Sequence, residues 1–184
     1  WKFPGKWVTQ IANSWRVFGD LDNNFESVLR TIDANADLWP YASYGHYNDM
    51  DIFQIGRGMT FDEDKTQFTM WCLMHSPLVL GNDLKKLSNK TKEIITNKEL
   101  IDINQSKYVY QLRRLIDNGE LEVWAKPLVS TMSGQVVVVL LNRTNETQEI
   151  SFNLASVGIN ASKEYELKDL WTKTIYPKSQ ENTI

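Results

Sequence analysis

Three times between residues 13 and 84, a short apolar run ends in a cluster of charged and amide side chains and gives way to helical periodicity. "NSWRVFGDLDNN" (13–24) carries Arg16 and Asp20, "GHYNDMDIFQIG" (45–56) carries Asn48, Asp49 and Asp51, and "SPLVLGNDL" (76–84) carries Asn82 and Asp83. After the first run, Phe25, Val28, Leu29 and Ile32 recur at the spacing of one helix face. After the second, "DEDKTQFTMWCLMH" opens acidic, as the positive end of a helix dipole favours. After the third, Ser88 stands where it can cap "NKTKEIITN". Strand, helix, strand, helix, strand, helix predicts a parallel sheet built from β–α units. In α/β barrels the active site is built at the carboxyl ends of such strands, where these polar clusters fall.

Near residue 105 the pattern changes. "YVYQLRRLIDNGELEVWAKPL" predicts a hairpin turning on Asn118-Gly119. "QVVVVLLN" and "QEISFNL" predict a second pair across "RTNET", and "KEYELKDLW" a further strand. The expected organisation is therefore α/β over residues 1–105 and antiparallel β over 106–184.

Several function classes are excluded or disfavoured. A net charge of -3 offers no basic stripe for nucleic acid. Lys85, Lys86, Lys90 and Lys92 are interrupted by Asp83 and Glu93 and read as a solvated face. No apolar run is long enough for a membrane span. Cys72, the one cysteine, sits among apolar neighbours and reads as a buried inert thiol. His46 and His75 have no metal-ligand spacing to carboxylates, so no metal or other cofactor is expected. Sequons at Asn89, Asn104, Asn142, Asn145 and Asn160 give slight support for secretion or a lysosomal-type compartment. Trp1 reads as a cut edge and "YPKSQENTI" as an end without a terminating element, so the chain is expected to be a piece of a longer protein.

On spacing alone the polar clusters admit structural readings. Asp20 would cap the following helix, as would Asp22 or Asn23, and Arg16 would pair with Asp20 four residues on. Asp49 would satisfy a loop.

In this order, "NSWRVFGDLDNN", "GHYNDMDIFQIG", "SPLVLGNDL" and "ELIDINQ" resemble the second half of a family 27 glycoside hydrolase, the clan of α-galactosidases and α-N-acetylgalactosaminidases. The resemblance continues through "VYQLRR", "LEVWAKPL", "VVVVLLNRT" and "LKDLWT". It implies the second half of a (β/α)8 barrel, strands six to eight, followed by an antiparallel β-sandwich. It also implies a retaining exo-glycosidase that removes terminal α-D-galactosyl residues. N-acetylgalactosaminidase, β-L-arabinopyranosidase and isomalto-dextranase activities are the alternatives within the family. A non-catalytic carbohydrate-binding or scaffold protein derived from the same fold is the alternative of another class.

Residue by residue, the resemblance makes Asp20 the general acid/base and Arg16 a donor to sugar hydroxyls, its head group aimed at the sugar rather than at Asp20. Asp51 would bind galactose hydroxyls at the pocket base, and Trp1 would line the substrate site. Asn48 and Asp49 would support that turn. Met50 and Ile52 stand where the family has proline and methionine, which would loosen the turn and reshape the wall. The family's nucleophile lies in a Lys-x-Asp motif, which these 184 residues do not contain. The 184 residues alone are therefore expected not to hydrolyse glycosides. The implied partner is a galactoside or related carbohydrate; no oligomeric state is implied.

Overall fold

A computed structural model describes residues 5–129, 134–160, 162 and 164–179. The chain divides into two compact units, residues 1–112 and 113–184. The division follows Leu112, beyond the change of pattern near residue 105. Gln111 and Leu112 are buried, and the Leu112 amide donates to Leu73 O at 3.3 Å, which holds this stretch to the first unit.

The first unit opens with the short helix α1 (Gly5–Val8) and the strand β1 (Ser14–Arg16). Helix α2 (Phe25–Ala36) follows, then strand β2 (Tyr47–Asp49) and helix α3 (Phe61–Leu73). Two further short helices are α4 (Asn89–Ile95) and α5 (Lys98–Asn104). β1 and β2 pair in parallel, with Ser14 opposite Tyr47, Trp15 opposite Asn48 and Arg16 opposite Asp49. Phe53 and Leu80 continue the parallel pairing as a single bridge, in which Phe53 N–H donates to Val79 O at 2.8 Å.

Both apolar runs form shorter strands than their sequences predict. The reason lies at Asp51, whose φ of 75° is left-handed and ends the ladder two residues after β2.

Each helix start has a local cause. Asn24 caps α2 by accepting from Ser27 N at 2.8 Å. Thr60 and Glu63 form a capping box at α3, and Ser88 caps α4 as expected. The core is apolar and dense. Ile32, Met50, Ile55, Met70, Trp71, Cys72 and Met74 are fully buried, and the Phe53 ring packs 5.5 Å from Phe68 and 6.3 Å from Trp71. Burying an aromatic such as Phe53 stabilises the unit by about 1.5–3 kcal/mol. Among the described residues no helix is long and apolar enough to cross a membrane.

The second unit is antiparallel. β3 (Arg113–Asp117), β4 (Leu121–Pro127) and β5 (Val136–Asn142) form one sheet in that order. β6 (Tyr165–Lys168) and β7 (Ile175–Ser179) form another. Two sequence expectations need correction. The β3–β4 turn sits one residue later than Asn118-Gly119. Asn118 N–H donates to Leu121 O, and Gly119, at φ 82°, is the first of the two turn residues, held by Asp117 Oδ1.

β5, moreover, pairs with β4 along its whole length rather than with "QEISFNL". Phe152 and Leu154 of that segment instead enter the core beside Val123, Ala125 and Val157. Glu122, only 1% exposed, accepts from Arg114, Arg143 and Trp124 at 3.0, 2.8 and 2.7 Å, which pairs its buried charge fully.

Candidate active site

The parallel register sets Arg16 beside Asp49 at the carboxyl ends of β1 and β2. Arg16 Nη1 donates to Asp51 Oδ2 at 2.7 Å and reaches Asp20 Oδ1 at 3.3 Å. Its Nε lies 3.8 Å from Asp49 Oδ2 and is buried without a hydrogen-bond partner. One guanidinium thus faces three carboxylates. The expectation that its head group turns away from Asp20 is corrected: Asp20 Oδ1 stands 3.3 Å from the same Nη1 that Asp51 holds.

Asp51 is the hub of the turn. Its Oδ2 also accepts from Leu21 N at 2.9 Å, and its Oδ1 accepts from Ile52 N at 2.7 Å. Its amide donates to Asp49 Oδ1 at 2.8 Å, and its carbonyl accepts from Trp71 Nε1 at 2.8 Å. With its side chain 10% exposed, the carboxylate has about one of four acceptor sites left for a ligand. The left-handed backbone at Asp51 is strained for a residue with a side chain, and these bonds hold it in place.

Asp20 has a different setting. The helix cap is Asn24, not Asp20, Asp22 or Asn23, so the capping reading of Asp20 falls away. Its side chain is fully exposed, and its contact among the described residues is Arg16. Trp1 lies outside the described residues.

Asn48 is wholly internal. Its Oδ1 accepts from Trp15 Nε1 at 2.8 Å, and its Nδ2 donates to Leu38 O at 2.9 Å and Gln111 Oε1 at 2.7 Å. These bonds tie the middle of β2 to Trp15 of β1, to Leu38 and to Gln111. His46 Nδ1 donates to Ala12 O at 3.1 Å, and His75 Nδ1 donates to Asn104 O at 2.9 Å. Among the described residues no group of three or more His, Cys, Asp or Glu is placed to hold a metal ion.

Several bracing residues escaped sequence reasoning. Met50 N–H, which a proline there would lack, donates to Ser76 Oγ at 2.9 Å within the core. Gln111 Nε2 donates to Asn35 O at 2.9 Å, and Asn104 Nδ2 donates to Ser76 O at 3.0 Å. The available signal was polar residues at positions otherwise facing a core, such as Asn35 in α2 and Gln67 in α3.

The segment after Asp51 is fastened to the Asp20 loop. Gln54 Nε2 donates to Leu21 O at 3.0 Å, and Asn23 Nδ2 donates to Arg57 O. From α3, Gln67 Oε1 accepts from Gln54 N at 3.0 Å and Asp64 Oδ2 accepts from Gly56 N at 2.9 Å. Burial raises the Asp64 carboxyl from 3.8 to about 6; the Gly56 amide opposes the shift and neighbouring Glu63 adds to it.

Residues 4–106 match the family model described as Alpha galactosidase A, and residues 118–184 match the Alpha galactosidase C-terminal beta sandwich domain. The chain belongs to glycoside hydrolase family 27, the α-galactosidase family. It is 40% identical over 161 residues to Alpha-galactosidase A of Cellvibrio japonicus, covering 82% of this chain and 39% of that protein. It is 38% identical over 175 residues to Alpha-galactosidase 2 of Arabidopsis thaliana, covering 94% and 43%. The structure of α-galactosidase I from Mortierella vinacea superposes with a TM-score of 0.87 at 25% identity, over 98% of this chain and 51% of that one.

The chain thus spans about two fifths of the length of these curated relatives. Its fold is that of the family's second half, barrel units followed by an antiparallel β-sandwich. Asp51, Arg16 and Asp20 stand at the strand ends where a barrel places its chemistry.

Proposed function

We propose that the protein is a retaining exo-glycosidase that hydrolyses terminal α-D-galactosyl residues, with Asp20 as its general acid/base. The observation that carries the reading is Asp20 itself. In a chain of this family it is an exposed carboxyl that caps no helix and sits 3.3 Å from an arginine locked to the Asp51 turn.

In the first step the Asp20 carboxylic acid gives its proton to the glycosidic oxygen as the bond to the anomeric carbon breaks. A second carboxylate, from a strand not among these 184 residues, forms the covalent bond from the opposite face. In the second step Asp20 takes a proton from the water that attacks the anomeric carbon, and galactose leaves with its configuration retained. Arg16 and the remaining acceptor site of Asp51 hold sugar hydroxyls, the first as donor and the second as acceptor. Asn48 and Asp49 keep the turn in position. The exposed sequons at Asn89, Asn145 and Asn160 support a secreted or lysosomal-type setting.

The test is hydrolysis of an aryl α-galactoside by the full-length protein, with the product anomer followed by NMR. Appearance of α-galactose first is expected. β-galactose first would overturn the retaining mechanism. Galactose binding without turnover would make the protein a carbohydrate-binding relative.

A further inference from the structure

The side chain of Asp20 does little to fix its own position. Its carboxyl is fully exposed, and Arg16 at 3.3 Å is its contact among the described residues. Phe18 and Gly19 before it are exposed as well. The backbone that follows it is clamped, and that is where the placement of the carboxyl is set.

Leu21 carries the clamp. Its N–H belongs to the peptide that joins it to Asp20 and donates to Asp51 Oδ2 at 2.9 Å. The next peptide is held on both edges. Leu21 O accepts from Gln54 Nε2 at 3.0 Å, and Asp22 N–H donates to Ser27 Oγ at 3.0 Å. The Leu21 side chain is buried. Asp51 and Gln54 stand in one segment after β2, so that segment grips both the amide and the carbonyl of Leu21.

Gln54 suits this role. A carbonyl can only accept, so Nε2 and not Oε1 must face Leu21. Gln54 Oε1 is buried with no hydrogen-bond partner among the described residues, so the position uses this amide for its donor. The main chain of Gln54 is fixed as well: its N–H donates to Gln67 Oε1 at 3.0 Å, and its carbonyl accepts from Arg57 N at 3.1 Å. Gln67 is fully buried in α3, so the donor is anchored to a helix rather than to the loop it holds.

We propose that Gln54 is a positioning residue for the general acid/base, acting through Leu21 O to hold the Asp20 carboxyl at the glycosidic oxygen. The proposal rests on the role given to Asp20 under the proposed function. Without the Gln54 donor, the Leu21–Asp22 peptide keeps only its Ser27 bond and can turn, which shifts Leu21 and with it Asp20. A displacement of about 1 Å at a reacting group costs up to about a hundredfold in rate.

The experiment measures kcat/KM of the full-length protein and its Gln54→Met variant on raffinose and on a dinitrophenyl α-galactoside. The sucrose of raffinose leaves as an alcohol and needs a proton as the bond breaks, whereas dinitrophenolate leaves without one. Incomplete folding lowers both values in proportion, so their ratio reads proton transfer. Gln54→Met is expected to lower the raffinose-to-aryl ratio about tenfold. Gln54→Asn, whose shorter side chain holds the amide back from Leu21, serves if Gln54→Met does not fold. In an Asp20→Ala background no acid is left to position, so there Gln54→Met should change the ratio by less than about twofold. A ratio within about twofold of the parent's when Asp20 is present overturns the proposal and leaves the galactosidase reading intact. An equal fall in the Asp20→Ala background also overturns it, by placing the effect on leaving-group binding. If Asp20→Ala itself leaves the ratio unchanged, the acid/base assignment fails and this proposal fails with it.

Discussion

Arg16 Nη1 stands 2.7 Å from Asp51 Oδ2, joining the end of β1 to the turn after β2 across a carboxylate that is 10% exposed. Removing the guanidinium would leave Asp51 with backbone amides alone. Arg16→Ala is expected to lower stability by about 1–2 kcal/mol, at the low end for a hydrogen bond between charged groups because Arg16 is itself partly exposed. Urea midpoints of parent and variant measure it. An unchanged midpoint would show that the Leu21 and Ile52 amides suffice.

Asp20→Ala should slow galactosides with poor leaving groups by at least about a hundredfold, the lower range for acid–base catalysis. Activated aryl galactosides need less protonation, so their first step should lose less. Azide should then restore turnover by attacking the intermediate without a base. Equal losses on both substrates, with no azide effect, would assign Asp20 a structural role.

The bond between Met50 N–H and Ser76 Oγ predicts an interaction between two substitutions. Ser76→Ala leaves a buried amide unpaired and should cost about 1–3 kcal/mol. In a Met50→Pro background no such amide exists, so the same change should cost at least about 1 kcal/mol less. A double-mutant cycle by chemical unfolding gives the coupling directly. Additive effects would mean that the amide finds another partner.

Asp64 predicts a dependence on pH. Its carboxyl is raised by burial from 3.8 to about 6, so the folded chain holds a proton that the unfolded chain has released between those values. The stability it contributes is complete below about pH 3.8 and is lost as pH rises through about 6. Asp64→Asn does not titrate and keeps an acceptor for the Gly56 amide. The variant should therefore gain on the parent by up to about 3 kcal/mol between acid and neutral pH, as the size of the shift sets. Unfolding at about pH 4 and about pH 7.5 tests the sign: a stability difference that does not change with pH would remove Asp64 as the titrating group.

The architecture was largely legible because each signal is local. The period of Phe25, Val28 and Ile32 marks α2 whatever it packs against, and Ser88 caps α4 with its own side chain. The change from helical to alternating pattern near residue 105 likewise announced the β unit. Where the outcome hung on competing partners, sequence was a poorer guide. "QEISFNL" has strand composition, yet β4 takes β5 along its full length and the core takes Phe152 and Leu154.

The order and spacing of Arg16, Asp20, Asn48, Asp49 and Asp51 are properties of the sequence, and they place these groups at or just beyond the strand ends. What each group does there was decided by tertiary structure. Asn24 took the cap and left Asp20 exposed, while Leu21, Ile52 and Arg16 filled most of the Asp51 carboxylate. Ser76, 26 positions from Met50, supplied the acceptor for its amide. Local pattern dictates which backbone a segment adopts, because φ/ψ preference and burial period act over a few residues. A hydrogen bond between distant residues exists only once the whole chain has brought its two ends within about 3 Å.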